Sequence, residues 1–161
     1  MLEYRVTGAA EVIEHLGTVP AKVRVNVRDA LDAWGTELAL YIKTDKLSGQ
    51  VLNRRTGLLS GSVHPLLEDS AQGITGGAGA GAGVPYARIH EFGGTIPAHE
   101  VVARNAQALA FTVDGTLRFA KRVQIPDVEM PERSYMRSSF TEKSPQGIEE
   151  LRAAVREALI P

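Results

Sequence analysis

Apolar residues fall at helical spacing in two long stretches of the chain and at strand spacing between them. From Pro20 to about Lys46, Val27, Leu31, Trp34, Leu38 and Ile42 recur at steps of four, three, four and four. That is the stripe of an amphipathic helix with one buried face. Pro20 suits the first turn of such a helix, where its missing N–H is not needed. Gly35 lies inside the stripe and costs about 1 kcal/mol relative to Ala unless close packing requires it. Ahead of it, AAEVIEHL at residues 9–16 predicts a separate short helix. Near the other end, Ile148, Leu151, Val155 and Leu159 form a second stripe. Ser144-Pro145 supplies a cap and a first-turn Pro for it, and residues 134–143 predict a short helix of their own.

The middle of the chain reads differently. Leu47 to Asn53 predicts a loop broken by Ser48 and Gly49. RTGLLSGSV at residues 55–63 mixes turn and short-helix signals. Thr56-Gly57 suits a turn with Gly57 at positive φ, and Thr56 equally suits a cap for the helix that Leu58 and Leu59 begin. Val63 to Asp69 predicts a strand that Pro65 pushes to an edge. The run GITGGAGAGAG at residues 73–83 has two readings, a flexible linker or the second strand of a hairpin packed closely by a neighbour. The hairpin is favoured, because a strand-like segment precedes it and an ordered motif follows. VPYARIHEF at residues 84–92 predicts a short helix ended by Gly93-Gly94. Its Tyr86, Ile89 and Phe92 form one apolar edge expected to pack in the core. Residues 95–124 are strand-like, with Asp114-Gly115 between ALAFTV and TLRFAKRVQI as a strong hairpin signal. Pro126 and Pro131 bracket a loop. Helix, strands, short helix, strands and helix in that order predict an α+β fold. An antiparallel sheet packs against the long helix of the N-terminal half, with short helices and a C-terminal helix. One domain is expected over 1–161, with 1–19 as an extension and 20–161 as the core.

Composition narrows the function classes. The 161 residues are 43% hydrophobic and 23% charged, enough to bury a core. The formal net charge is −1, which gives no global attraction to nucleic acid or an anionic membrane. There is no cysteine, which removes disulfides, thiolate metal sites and a Cys nucleophile. The start, MLEYRVTGAAEVIEHLG, has acids early and no long apolar run, so no signal peptide is expected. No stretch approaches the roughly 20 apolar residues that span a bilayer.

Templates for catalysis fail one after another. His90-Glu91 is followed by Gly94 where a zinc-protease helix places its second histidine. His64, His90 and His99 have no ligand-like spacing. Gly83 is followed by Val84-Pro85, so a phosphate loop lacks its lysine, and Ala82 stands at the third glycine of a dinucleotide fingerprint. Ser60 lacks the flanking glycines of a nucleophile elbow. His90 and Glu91 are neighbours on a helix and point about 100° apart, so they are no dyad. No catalytic, metal or cofactor-binding residue is therefore expected. Arg54-Arg55 and Lys121-Arg122 are local basic pairs, which keep a nucleic-acid-binding module as the alternative. A small hydrolase using His90, His99 and Glu91 ranks below it.

Three stretches carry a resemblance: RTGLLSGSV (55–63), YARIHEFGGTIPAH (86–99), and residues 108–140 from ALAF through FAKRVQIP to MPERSYMRSSF. In this order and spacing they resemble bacteriophage tail-completion and head–tail joining proteins, a group that includes minor tail protein Z-like and virion morphogenesis proteins. The resemblance covers about residues 20–160. The Gly/Ala run at 76–83 is simpler than the usual strand there, and MPERSY stands where a Pro-Ala-Arg-Pro-Phe-like string is commoner. The resemblance implies an α+β fold, no enzymatic activity, no cofactor, and a structural role at the neck or tail of the virion after assembly in the host cytoplasm. It implies a ring of copies of the chain, a hexamer among the expected closures, against tail-tube, terminator or head-connector proteins. DNA would pass through the ring, and no membrane is involved. The residues it marks as structural or interface positions are Arg55, Thr56, Gly57, Leu59, Ser62, Tyr86, Ala87, His90, Glu91, Phe92, Gly93, Gly94, Pro131, Arg133 and Arg137. Arg133 and Arg137, four apart, are expected to share a helix face.

Overall fold

A computed structural model describes residues 9–80 and 83–160. The fold is α+β, with a long helix in the N-terminal half, short helices, antiparallel strands and a C-terminal helix. The chain divides into two compact units, Met1–Ala87 with Ser134–Pro161, and Arg88–Arg133.

The first unit is built on helix α1, Ala9–Tyr41. Pro20 lies inside it and not at its start, so residues 9–16 and the main stripe are one helix. A proline's fixed φ is helical; what the interior position forfeits is one hydrogen bond. The winding then continues beyond Tyr41 as a wider, π-type stretch, Ile42–Gln50. It therefore overruns the loop expected from Leu47, but Ser48 and Gly49 break its geometry as anticipated, with Gly49 at φ 125°. The predicted stripe is the buried face: Leu31, Trp34, Leu38 and Ile42 are all buried, Ile42 completely. Helix α2, Leu58–Ser62, follows a left-handed Gly57 (φ 79°). The Thr56 hydroxyl accepts from the Leu58 N–H at 3.4 Å, but Gly57 itself holds the cap position and no side chain caps the helix, so the turn reading holds and the Thr56 cap does not.

Strands β1, Val63–Ser70, and β2, Gly73–Ala80, form an antiparallel hairpin from Val63↔Ala80 to Ser70↔Gly73. The Gly/Ala run is thus a strand as far as Ala80; residues 81 and 82 lie outside the described residues. Its composition answers to α1. A Cβ on Gly35 would lie 2.7 Å from the Gly77 carbonyl oxygen, and one on Gly76 2.9 Å from the Leu31 Cβ. Any side chain larger than hydrogen at these points would force helix and strand apart. Arg24 of α1 pairs with Asp69 and donates to the Ser70 carbonyl at 2.7 Å, which ties the helix to the hairpin turn.

Helix α4, Met136–Leu159, packs on α1 and is also continuous where two pieces were expected. Pro145 sits inside it. A proline in a helix interior costs about 3 kcal/mol, and here tertiary contacts on both sides offset it. Trp34 donates to the Lys143 carbonyl at 3.4 Å and meets Phe140 edge to face at 5.6 Å. On the far side of Pro145, a Cβ on Gly147 would strike the Trp34 indole at 2.5 Å. The Ser144 hydroxyl donates to the Phe140 carbonyl at 2.5 Å.

One polar cluster clamps the same two helices. Lys46, with a side chain only 5% exposed, reaches Glu142 at 2.7 Å, and the Tyr41 hydroxyl donates to the other Glu142 oxygen at 2.6 Å. Burial pulls the Lys46 ammonium down, but its bond to Glu142 and its proximity to Tyr41 leave it above its ordinary value. The Lys46 and Tyr41 hydrogen bonds hold the Glu142 carboxyl below its ordinary 4.5.

Two predictions follow from this packing. Gly35→Ala gains about 1 kcal/mol of helix propensity but meets a backbone carbonyl that cannot swing aside, and overpacking costs about 1–3 kcal/mol. Urea denaturation should show a net loss, whereas Gly61→Ala, with open space around it, should be neutral or stabilising. A folded-state carboxyl held low contributes stability above its unfolded value that fades as pH falls through the folded one. Thermal melts below pH 4.5 should therefore show wild type losing its advantage over Glu142→Gln, with the gap restored near neutrality.

Candidate functional site

The second unit, Arg88–Arg133, is a two-stranded ribbon, an arm of chain that folds back on itself. It starts from helix α3, Ala87–Phe92, which is shorter than the predicted 84–92 and leaves Tyr86 outside. Strands follow as β3 (Gly94–Ile96), β4 (His99–Val102), β5 (Leu109–Val113), β6 (Thr116–Ala120), β7 (Arg122–Ile125) and β8 (Val128–Met130). Each pairs with one partner: β3 with β8, β4 with β7, β5 with β6. Among the described residues, the antiparallel pairing is thus spread over four two-stranded ladders and not gathered into one sheet.

The three ladders of the arm are nested. Ile96↔Val128 and His99↔Ile125 are separated by two residues on each strand, Pro97-Ala98 opposite Pro126-Asp127, so the register carries through both ladders. It continues one step further, where the Ala103 N–H donates to the Lys121 carbonyl at 3.0 Å. At about 3.3 Å per residue, this stretch from Gly94 to Ala103 is roughly 30 Å long. Residues 104–108 then have no counterpart on the return strand, because Leu109 pairs with Ala120. Beyond this one-sided bulge, the last ladder closes on Asp114 (φ 50°) and Gly115 (φ 77°). Positive φ at both central residues is what a type I′ hairpin turn demands, and the Asp-Gly signal is borne out.

Cross-strand partners share a face. At the tip, Ala110 lies opposite Phe119 and Thr112 opposite Leu117. Phe119 is 66% exposed and Leu117 59%. The other face carries Leu109 with Ala120 and Phe111 with Arg118. The sides of the stem are polar in places: Thr95 donates to Glu129 at 2.5 Å, and Arg122 reaches Glu100 at 3.4 Å.

The base of the arm is where the second and third sequence motifs meet. Gly93 ends α3 at φ 66°, and its N–H donates to the Ile89 carbonyl at 2.9 Å. A Cβ there would lie 2.8 Å from the Glu132 nitrogen and 2.9 Å from the Met130 oxygen, so the glycine is needed for both conformation and space. Pro131 sits between those two residues in sequence. The Arg133 N–H donates to the His90 carbonyl at 2.8 Å. Burial, and then the Arg133 charge, push the His90 imidazole below its ordinary 6.5, which keeps it neutral near pH 7. Glu91 is buried, whereas Phe92 is 56% exposed and Tyr86 37%. The apolar edge expected to enter the core therefore faces outward at both ends.

The remaining sequence candidates lie elsewhere. Arg55, Thr56, Gly57, Leu59 and Ser62 belong to α2 and its approach, where Leu59 packs against the core and the Ser62 hydroxyl donates to the Leu59 carbonyl at 2.8 Å. Ala87 opens α3, and its N–H donates to the Val84 carbonyl at 3.0 Å. Arg137 stands in the first turn of α4, but Arg133 precedes that helix, so the two share no helix face. In the first unit a groove of about 450 Å³ runs between Leu38, Ile42, Leu66, Met136 and Phe140, with Glu68 and Arg137 among its walls. Among the described residues, no group of three or more His, Asp or Glu is placed to hold a metal, and no helix is long and apolar enough to cross a membrane.

No family model, curated protein or solved structure matches the chain.

Gly93→Ala should loosen the base of the arm by more than about 1 kcal/mol, since alanine is strained at positive φ. Hydrogen exchange should show the amides of β3 and β8 losing protection while those of α1 and α4 keep theirs.

Proposed function

We propose that this protein is a structural, non-enzymatic component of a bacteriophage particle, one that assembles as a ring to join or complete the tail at the neck. The observation that carries the reading is the arm. An isolated two-stranded ribbon is marginally stable in water, and among the described residues each strand of this one leaves its outer edge without a ladder partner. Unpaired edges invite pairing with another chain. The exposed Leu117 and Phe119 add an apolar face at the far end. An element of this kind gains its missing contacts from a neighbour. If every copy offers its arm to the next, a head-to-tail contact results, and it closes into a ring when the rotation allows.

The ordered motifs at residues 55–63, 86–99 and 108–140 support the phage assignment, as a resemblance in sequence pattern. They also support tail-tube, terminator or connector proteins as neighbours above and below the ring, and the virion as its final location.

Light scattering after gel filtration, with negative-stain imaging, tests the reading. Rings are expected for the wild type, alone or with a tail or connector protein. Leu117→Asp with Phe119→Asp should reduce them to smaller species and leave the circular dichroism spectrum unchanged. A protein that stays monomeric at every concentration and binds neither kind of neighbour would sink it.

A further inference from the structure

Charge is segregated along the arm. Residues 103–122 carry Arg104, Arg118, Lys121 and Arg122 against Asp114 alone. The rest of the unit carries Glu91, Glu100, Asp127, Glu129 and Glu132 against Arg88 and Arg133. A chain whose total is close to neutral thus concentrates positive charge at one end of a narrow, exposed element. Of the four cations, Arg122 is engaged by Glu100 at 3.4 Å. Arg104, Arg118 and Lys121 are exposed, and among the described residues none of them makes an ion pair.

We infer that the distal part of the arm binds the phosphate backbone of double-stranded DNA through Arg104, Arg118 and Lys121. The shape fits that partner. Strands about 4.8 Å apart make a two-stranded ribbon, one of the two elements that the roughly 12 Å major groove admits. The chemistry fits as well. Arginine and lysine without a carboxylate partner are what phosphate contacts need, and such contacts are independent of base sequence. The tip keeps the two kinds of surface apart. Arg118 shares its face with Phe111, whereas Leu117 and Phe119 lie on the opposite one. A phosphate held by Arg118 and a neighbouring subunit on Leu117 and Phe119 therefore do not compete for the same face. Arg54 and Arg55, the other basic pair legible in the sequence, belong to the first unit.

The test is fluorescence anisotropy of a labelled DNA duplex of mixed sequence, titrated with the full chain at several salt concentrations. Each oligomeric fraction is measured separately, because the contact does not require ring closure and a monomer would still bind. Three phosphate contacts give a slope of log K against log salt near −2.7, at about −0.9 each. Arg104→Gln, Arg118→Gln and Lys121→Gln together should bring the slope towards zero and weaken binding about tenfold or more at low salt. Arg54→Gln with Arg55→Gln should leave both unchanged. Should the triple variant melt differently from wild type, the single variants Arg118→Gln and Lys121→Gln decide, each lowering the slope by about 0.9. The inference fails if wild type does not bind duplex at low salt, if the cation variants bind as wild type does, or if the Arg54/Arg55 variant abolishes binding. The first of these outcomes, with rings still formed, would leave the assembly reading standing and assign the basic tip to an acidic protein surface.

Discussion

The first unit depends on how closely one helix can approach one strand. Leu31 and Gly35 of α1 lie against Gly76 and Gly77 of β2, and neither Gly35 nor Gly76 has room for a methyl group. Helix α1 packs on both strands of the hairpin. Val63, at the start of β1, joins Ile42, Leu38 and Tyr135 in one core. Helix α4 completes that core from the other side, with the Trp34 ring as the shared surface. The small residues that look like low complexity in the sequence are the surface on which the main helix rests.

The same contact explains what the sequence could and could not reveal. The stripe from Val27 to Ile42 was legible because burial of a helix face is a local pattern. Asp114-Gly115 was legible because a type I′ turn is a local backbone requirement. The Gly/Ala run stayed ambiguous between linker and strand, since what decides it is Gly35 and Leu31, far away in the chain. Local rules place Pro20 and Pro145 at helix starts. Around Pro145, contacts of Phe140, Lys143 and Gly147 with Trp34 outweigh the local penalty, and no local rule contains them. Spacing alone points Tyr86 and Phe92 at a core, but three-residue spacing says which residues share an edge and not where that edge points. Among the candidate site residues, Gly93 and Gly94 could be read as a helix stop. Their fit against Met130 and Glu132 could not.

The two units embody different solutions to the problem of burying apolar surface. The first has a core of residues from helices and a hairpin that close on one another. The second spends about half of its residues on ladders one pair wide, whose faces are largely open. Backbone pairing inside such a ribbon satisfies half of its polar groups, and the rest are left to solvent or to another molecule. This unit encloses little apolar surface of its own, and Leu117 and Phe119 stay exposed at its tip.

The one-sided bulge at residues 104–108 separates two ladders that are each strict about register. Along either ladder, slipping by a single residue would invert every side chain from one face to the other. The bulge has no opposing strand to keep in step with, so chain length there is free to drift. Insertions and deletions in this short stretch could alter the reach and pitch of the tip while the pairing on both sides of it persists. Diversification of the arm's distal end therefore has a single tolerant address, and the stem is spared from it.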